Sequence, residues 1–565
     1  MREQGVAANY RQFAAVIAGM TIVPSILAAI FVLLIDPYYV VGAPDLAGVN
    51  VVRPTYEGQV LAAKPYQVRR IKPQAVVLGS SRAEVGIDAG HPGWLGQRVF
   101  NFALPASTSY EIMLAFLHAQ SVAPLRQAVV GLDFFGFNAF FVRSRQLYEA
   151  RFATAQLRAF ADLLDDERAR RRQTAPAAEP ADSVQGTWPR DWDEASYLQN
   201  YPDVASTIQI GKFASGYQHY LAHGVWQGRA AGPAPASWNE ADYLAANPSA
   251  RVRIAMGDFT SGFFHYAAVG HEQGLVGGAP PIDALGHLRV WAPGFNAAVF
   301  TMMDAVHLSF STASIRDSMF TTRHQAQPPT FDDRGMRVWQ GQDAELQRLG
   351  GSARIIRGVL TGFQWYLWLM PPRFMYCFTN PATGASMFDP YRFMLRRAYA
   401  EGTDLRLYTT PLHAGVRDLM NKLGLAERYE FWLAELVRIN EDEAARAGKP
   451  ALPLWDFSDA NSITTEPIPA ADDARPMHWF WEISHYRKAT GDLILDRVLG
   501  GGDPARPLPS DFGVRLTGAT IEAHVAHSRR THEGWQAREG DLAAQITRAV
   551  SGPMVENRQA HATCW

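Results

Sequence analysis

The longest apolar stretch comes first. Phe13 to Ile35 (FAAVIAGMTIVPSILAAIFVLLI) holds 23 residues without a charge. As a helix it rises about 34 Å, enough for a hydrocarbon core of roughly 30 Å. Pro24 and Ser25 lie mid-span, where a kink is tolerated. Shorter patterns follow. Gln74 to Leu78 (QAVVL), Arg98 to Ala103 (RVFNFA) and Ala128 to Leu132 (AVVGL) are strand-length apolar runs. Between the last two, Tyr110 to Gln120 has helical spacing. The rhythm stops, then returns with a helix over Phe388 to Ala400 and a strand over Asp404 to Thr409. After these come a long amphipathic helix over Leu425 to Ala447, a strand over Ala451 to Phe457 and a closing helix over Gly491 to Leu499. Continuous apolar strands alternating with helices predict a parallel sheet in an α/β domain.

Charge placement orients the first run. Arg2 and Arg11 precede it, Asp36 and Asp45 follow it, and the next cation is Arg53. The positive-inside rule then puts the N-terminus in the cytoplasm and the rest outside, as a single-pass protein with a large extracytoplasmic body. The run is long for a signal peptide, and Asp36-Pro37-Tyr38 is a poor cleavage site, so an uncleaved anchor is expected.

Between the two α/β stretches, Glu167 to Pro189 is rich in Arg, Ala and Pro and reads as a linker. A repeat follows. Trp192 and Trp238 stand 46 apart, as do Tyr197 and Tyr243, Gly216 and Gly262, His219 and His265, and Tyr220 and Tyr266. Each copy reads as a small two-helix unit whose matched aromatics and histidines form its core, with a sugar- or partner-binding face as the alternative. The expected division is a cytoplasmic tail over 1–12, a membrane helix over 13–35, the α/β domain over 36–166 and 278–502, a linker over 167–190, the repeats over 191–277 and a polar tail over 503–565.

Composition narrows the chemistry. The 53 Lys plus Arg against 55 Asp plus Glu leave a net charge of −2, so nothing recruits nucleic acid. Two cysteines, Cys377 and Cys564, cannot build a disulfide framework or a cysteine-rich metal site; a buried free thiol and a tail thiol are expected. His271-Glu272-Gln273-Gly274 lacks a second histidine, His478 and His485 lack an evident third ligand, and no phosphate-binding glycine loop occurs. No metal or nucleotide cofactor is predicted.

Two short motifs carry the candidate chemistry. Gly79-Ser80-Ser81-Arg82 follows the first strand, where a serine on the turn into a helix reaches the carboxyl edge of the sheet. Helix capping is the simpler use of such a serine. Glu482-Ile483-Ser484-His485 precedes the closing helix; a carboxylate three residues before a histidine can hold one ring nitrogen and leave the other as a base.

Together these motifs and the five strands resemble the SGNH (GDSL-like) hydrolase superfamily, in its membrane-anchored branch acting on acyl groups of envelope polymers. The resemblance covers about residues 70–135 and 385–500. It implies a flavodoxin-like sheet of five parallel strands, with Ser81 as nucleophile, His485 as base and Glu482, in place of the usual Asp, as the acid. It implies an oxyanion-hole amide, for which Asn138 is the candidate, although its spacing after the third strand is several residues off. The family's glycine after the second strand has no clear counterpart in Asn101 to Ala106. Arg82 and His413, expected at the same sheet edge, are candidate substrate-binding residues. The repeat is similar to YLxxNPDV…HYxxxG appendages of bacterial extracellular and glycan-related proteins, with Ser249-Ala250 where Asp-Val is usual. The implied function is a serine esterase or O-acyltransferase acting on envelope or exported polysaccharide, anchored in a bacterial inner membrane with its body in the periplasm. The alternative is a non-catalytic scaffold that binds glycan or a polysaccharide-synthesis partner.

Overall fold

A computed structural model describes residues 2–139, 156–174, 308–339, 383–469 and 475–550, most of 238–266, and shorter pieces between. The chain opens with α1 (Arg2–Ile35), whose residues Val16–Ile35 are apolar and long enough to cross a membrane or to serve as a signal sequence. Next come α2 (Val60–Ile71), β1 (Ala75–Leu78), α3 (Ser81–Gly86), β2 (Val99–Asn101), α4 (Ser109–Val122), β3 (Gln127–Leu132) and α5 (Leu157–Thr174). The repeats supply α6 (Glu194–Asn200), α7 (Gly216–His219), α8 (Glu240–Ala246), α9 (Pro248–Ala255) and α10 (Gly262–His265). Then follow α11 (Thr312–Arg323), α12 (Asp389–Glu401), β4 (Asp404–Thr409), α13 (Ala414–Lys422), α14 (Ala426–Ala447), β5 (Leu454–Asp456), α15 (Lys488–Leu499), β6 (Val514–Arg515), α16 (Ile521–Arg538) and α17 (Gly540–Val550).

The sheet has six strands in the order β2-β1-β3-β4-β5-β6. The first five pair in parallel, while β6 runs antiparallel to β5. The expectation of five parallel strands is therefore corrected to a mixed sheet of six. The sixth strand comes from the region read as a polar tail, and its two residues are too few to show a period. The same region adds α16 and α17, which bury Ile521, Trp535 and Ile546.

Alternation along the strands sets the layers. Val76, Leu78, Val130, Leu405 and Leu407 join one core with α2, α4, α12 and α14. Ala75, Val77 and Val129 face the other core, with Ala83 of α3 and Leu493 to Leu495 of α15. Burying both faces explains why β1 and β3 lack polar alternation.

The expected linker begins inside a helix, because α5 runs to Thr174. Arg171 forms an ion pair with Asp389, and Arg168 donates to the Thr383 carbonyl at 2.7 Å. Residues 175–193, and the apolar segment 362–372, lie outside the described residues. The repeats match in bonding as well as in sequence. Glu194 accepts from the backbone of Gly216 and Tyr217, as Glu240 does from Gly262 and Phe263. Tyr197 meets His219 at 3.1 Å, and Tyr243 meets His265 at 2.8 Å. These residues hold each unit together. The buried Cys377 is disulfide-bonded, contrary to the expected free thiol; the sequence holds one other cysteine, Cys564, outside the described residues.

Candidate functional site

The turn after β1 demands a glycine. Gly79 has φ +143°, and a Cβ there would lie 2.9 Å from Ala83 and 3.0 Å from the Gly131 carbonyl. The turn then divides the two serines. Ser80 caps α3, its hydroxyl accepting from the Arg82 N–H at 3.3 Å. Capping by Ser80 frees Ser81, whose Oγ lies 2.8 Å from His485 Nε2.

His485 sits on a tight loop closed by a bridge between Phe480 and Tyr486. The Trp481 N–H donates to the His485 carbonyl at 2.8 Å, and buried Phe480, Ile483 and Tyr486 anchor the loop. The Glu482 carboxylate accepts from the Ser484 N–H at 2.7 Å and the His485 N–H at 3.0 Å, and it bonds His485 Nδ1. Two backbone donors fix that carboxylate against the ring, which absorbs the extra methylene of Glu. The structure thus brings together Ser81, His485 and Glu482.

The other candidates fall differently. Arg82 is buried: Nε donates to the Ser484 carbonyl at 2.9 Å, Nη2 to Ser484 Oγ at 3.0 Å, and Nη1 pairs with Asp133 at the end of β3. It ties the histidine loop to the sheet and also lines the cavity beside Ser81, as expected of a residue at this sheet edge, with its charge paired to Asp133. His413 caps α13 and meets the Glu466 carbonyl at 2.8 Å. Burial pushes its pKa down to about 4, the carbonyl bond only partly offsetting this. It does not line the cavity beside Ser81. Asn138 is likewise absent from that lining; its side-chain amide oxygen accepts from the Cys377 N–H at 3.1 Å. Its part as an oxyanion donor is not supported by this placement.

The cavity measures about 220 Å³. Ser81, His485 and Glu482, with the Arg82–Asp133 pair, are on its polar side, and Ala106, Phe135, Phe141 and Val359 form its apolar wall. Ala106 has φ +55°, the left-handed conformation that favours glycine. Among the described residues, the N–H groups of Ser81, Ala106 and Ser107 have no protein partner. A larger hollow between α5 and α9 is lined by Arg158, Asp162, Asp165 and Arg251, with no serine, cysteine or histidine among its described lining residues.

Three features escaped sequence reading. Trp339 packs at 5.2 Å from the His485 ring, reaching the site from a distant segment. Asp133 is the buried partner of Arg82, and an acid closing a strand at the carboxyl edge was a readable signal. The third feature is a second imidazole–carboxylate cluster. His524 Nε2 meets Asp456 at 2.7 Å, and Nδ1 faces Asp459 at 3.5 Å. Burial opposes charge on His524, but the two carboxylates prevail and raise its pKa to about 9. The three could in principle ligate a metal; with one ring nitrogen directed at each acid, the arrangement is that of an ion-pair clamp.

No family model matches the chain, and searches of curated proteins and of solved structures return no match.

Proposed function

We propose that the chain is a membrane-anchored, extracytoplasmic serine esterase or O-acyltransferase of SGNH type, acting on acyl groups of envelope or exported polysaccharide. The observation that carries this reading is the 2.8 Å contact of Ser81 Oγ with His485 Nε2, with Glu482 on the opposite nitrogen. His485 takes the Ser81 proton as Oγ attacks the ester carbonyl carbon. The N–H groups of Ser81, Ala106 and Ser107 are the donors available to the oxyanion. Collapse of that intermediate breaks the ester bond, and His485 returns the proton to the departing alkoxide. Water, or a sugar hydroxyl, then repeats the attack on the acyl-serine and regenerates Ser81. Glu482 keeps the Nδ1 proton in place.

The cavity is below the roughly 300–1,000 Å³ of ordinary ligand pockets, which favours a short acyl group over a polymer segment. The α1 helix and the charge bias around it support the anchor. The Cys377 disulfide supports an oxidising compartment such as the periplasm.

The test compares full-length protein and its Ser81→Ala form in detergent with a short-chain aryl ester. The variant should lose at least about 10³-fold in turnover, and a fluorophosphonate should label Ser81 of the native chain. Equal rates would leave only the non-catalytic scaffold.

A further inference from the structure

Helix α11 is built inside out. Its buried stripe is Ser314, Asp317, Ser318 and Thr321, all at most 8% exposed. Its exposed side carries Met319 at 43% and Phe320 at 40%. A helix bathed in water does the reverse, turning its apolar stripe to the core. The buried stripe offers small residues, which suit close contact between helices in lipid. It packs on α1, whose last turns bury Val32 and Ile35. Tyr38, just past α1, donates to Asp317 at 2.7 Å. Gln325, just past α11, clasps both backbone groups of Val52.

Exposed apolar side chains gather around this foot. Outside α1, the large exposed hydrophobics among the described residues all fall in 41–51 and 306–320, save Leu95 and Phe431. The exposed side of α11 also sets Arg316 and Arg323 two turns apart, with Met319 and Phe320 between them. Cations flanking an apolar, aromatic patch suit the headgroup boundary of a bilayer, where long side chains reach back to phosphate.

We infer that α11 is a second membrane contact: it lies in the lipid interface against the outer end of α1, with Met319 and Phe320 among the acyl chains and Arg316 and Arg323 at the headgroups. The occupant is phospholipid because the patch continues the exposed apolar surface of α1. The inference rests on α1 being a membrane span. A body held at α1 and α11 together cannot swivel on a single helix, so the Ser81 cavity keeps a fixed aspect to the membrane.

The experiment uses the full chain in phospholipid nanodiscs containing a lipid with a diazirine in its acyl chain. After photolysis, mass spectrometry should find lipid adducts in α1 and in the tryptic peptide 317–323 (DSMFTTR). The segment bearing Leu95, exposed but outside the patch, should carry none. Met319→Glu with Phe320→Glu should abolish labelling of 317–323 and leave α1 labelled. Adducts in α1 but none in native 317–323 would overturn the inference, as would protein crosslinks from 317–323 to a second copy in place of lipid. An unlabelled α1 would remove the membrane anchor itself, and this inference with it.

Discussion

Two imidazole–carboxylate pairs stand on the same α/β scaffold and differ in what meets the second ring nitrogen. At His485 that nitrogen faces the Ser81 hydroxyl at a cavity wall. At His524 it faces a second carboxylate, Asp459, in the interior. The first arrangement can pass a proton between a nucleophile and a leaving group. The second holds the proton, because charge on the ring is what satisfies two buried acids. The pair alone is therefore no evidence of catalysis; the third partner and the access to solvent decide. Asp456 closes β5, and His524 on α16 locks the C-terminal helices to that strand.

Replacing each histidine in turn breaks the comparison most directly. His485→Ala should cost about 10⁴-fold or more in ester turnover, with little change in the denaturant midpoint. His524→Ala should do the opposite, leaving Asp456 and Asp459 buried together without the ring that pairs with both and lowering stability by about 3–5 kcal/mol. Turnover per folded molecule should persist. Activity and urea unfolding measured on both variants check this, and a His524→Ala protein that folds normally but is inactive would reverse the two roles.

Glu482→Gln is the next largest. The amide cannot hold the same proton on Nδ1, so turnover should fall by about 10³–10⁴-fold with the fold intact. Near-native turnover in the variant would strip Glu482 of its part and leave a Ser–His pair.

The clamp also predicts a pH response. The folded pKa of His524, about 9, exceeds its ordinary 6.5, so the charged ring contributes stability that is complete below about pH 6.5. That contribution is lost as pH rises through about 9, and at 1.36 kcal/mol per unit it amounts to about 3 kcal/mol. Urea midpoints followed from neutral to alkaline pH should fall in the native chain and stay flatter in His524→Gln. Parallel curves would mean that the ring is not charged in the fold.

What the sequence made legible follows from how local each signal was. The five strands of the parallel set lie where apolar runs placed them, because burial on both faces writes itself into consecutive residues. Gly79-Ser80-Ser81 and Glu482-x-x-His485 were readable because each is a turn with a short fixed spacing. The misses are non-local or too brief. The two residues of β6 show no pattern, and Trp339 reaches His485 across a long sequence separation. His413 and Arg82 were placed at the right end of the sheet, but their partners, the Glu466 carbonyl and Asp133, come from other segments. Helix α11 escaped the sequence reading altogether, because its buried stripe is polar and no apolar period marks the face that meets α1.

The smallest predicted effect separates the two sites through the backbone. Helices α3 and α15 pack so closely that a Cβ at Gly491 would lie 1.7 Å from the Gly86 carbonyl oxygen. Backbone cannot move aside as a side chain can, so Gly491→Ala must push the helices apart, at about 1–3 kcal/mol. Ser81 opens one of these helices and the His485 loop leads into the other, so the same push lengthens the contact between them. A displacement near 1 Å lowers turnover by about 10²-fold. The Asp456–His524 clamp lies on other elements and should keep its alkaline unfolding midpoint. Gly500→Ala is the control: φ is +76° but the space is open, so it should cost about 1–2 kcal/mol in strain and leave turnover unchanged. If Gly491→Ala loses stability and keeps full turnover, the Ser81–His485 distance is set by the loop and its Arg82 ties rather than by the helix pair.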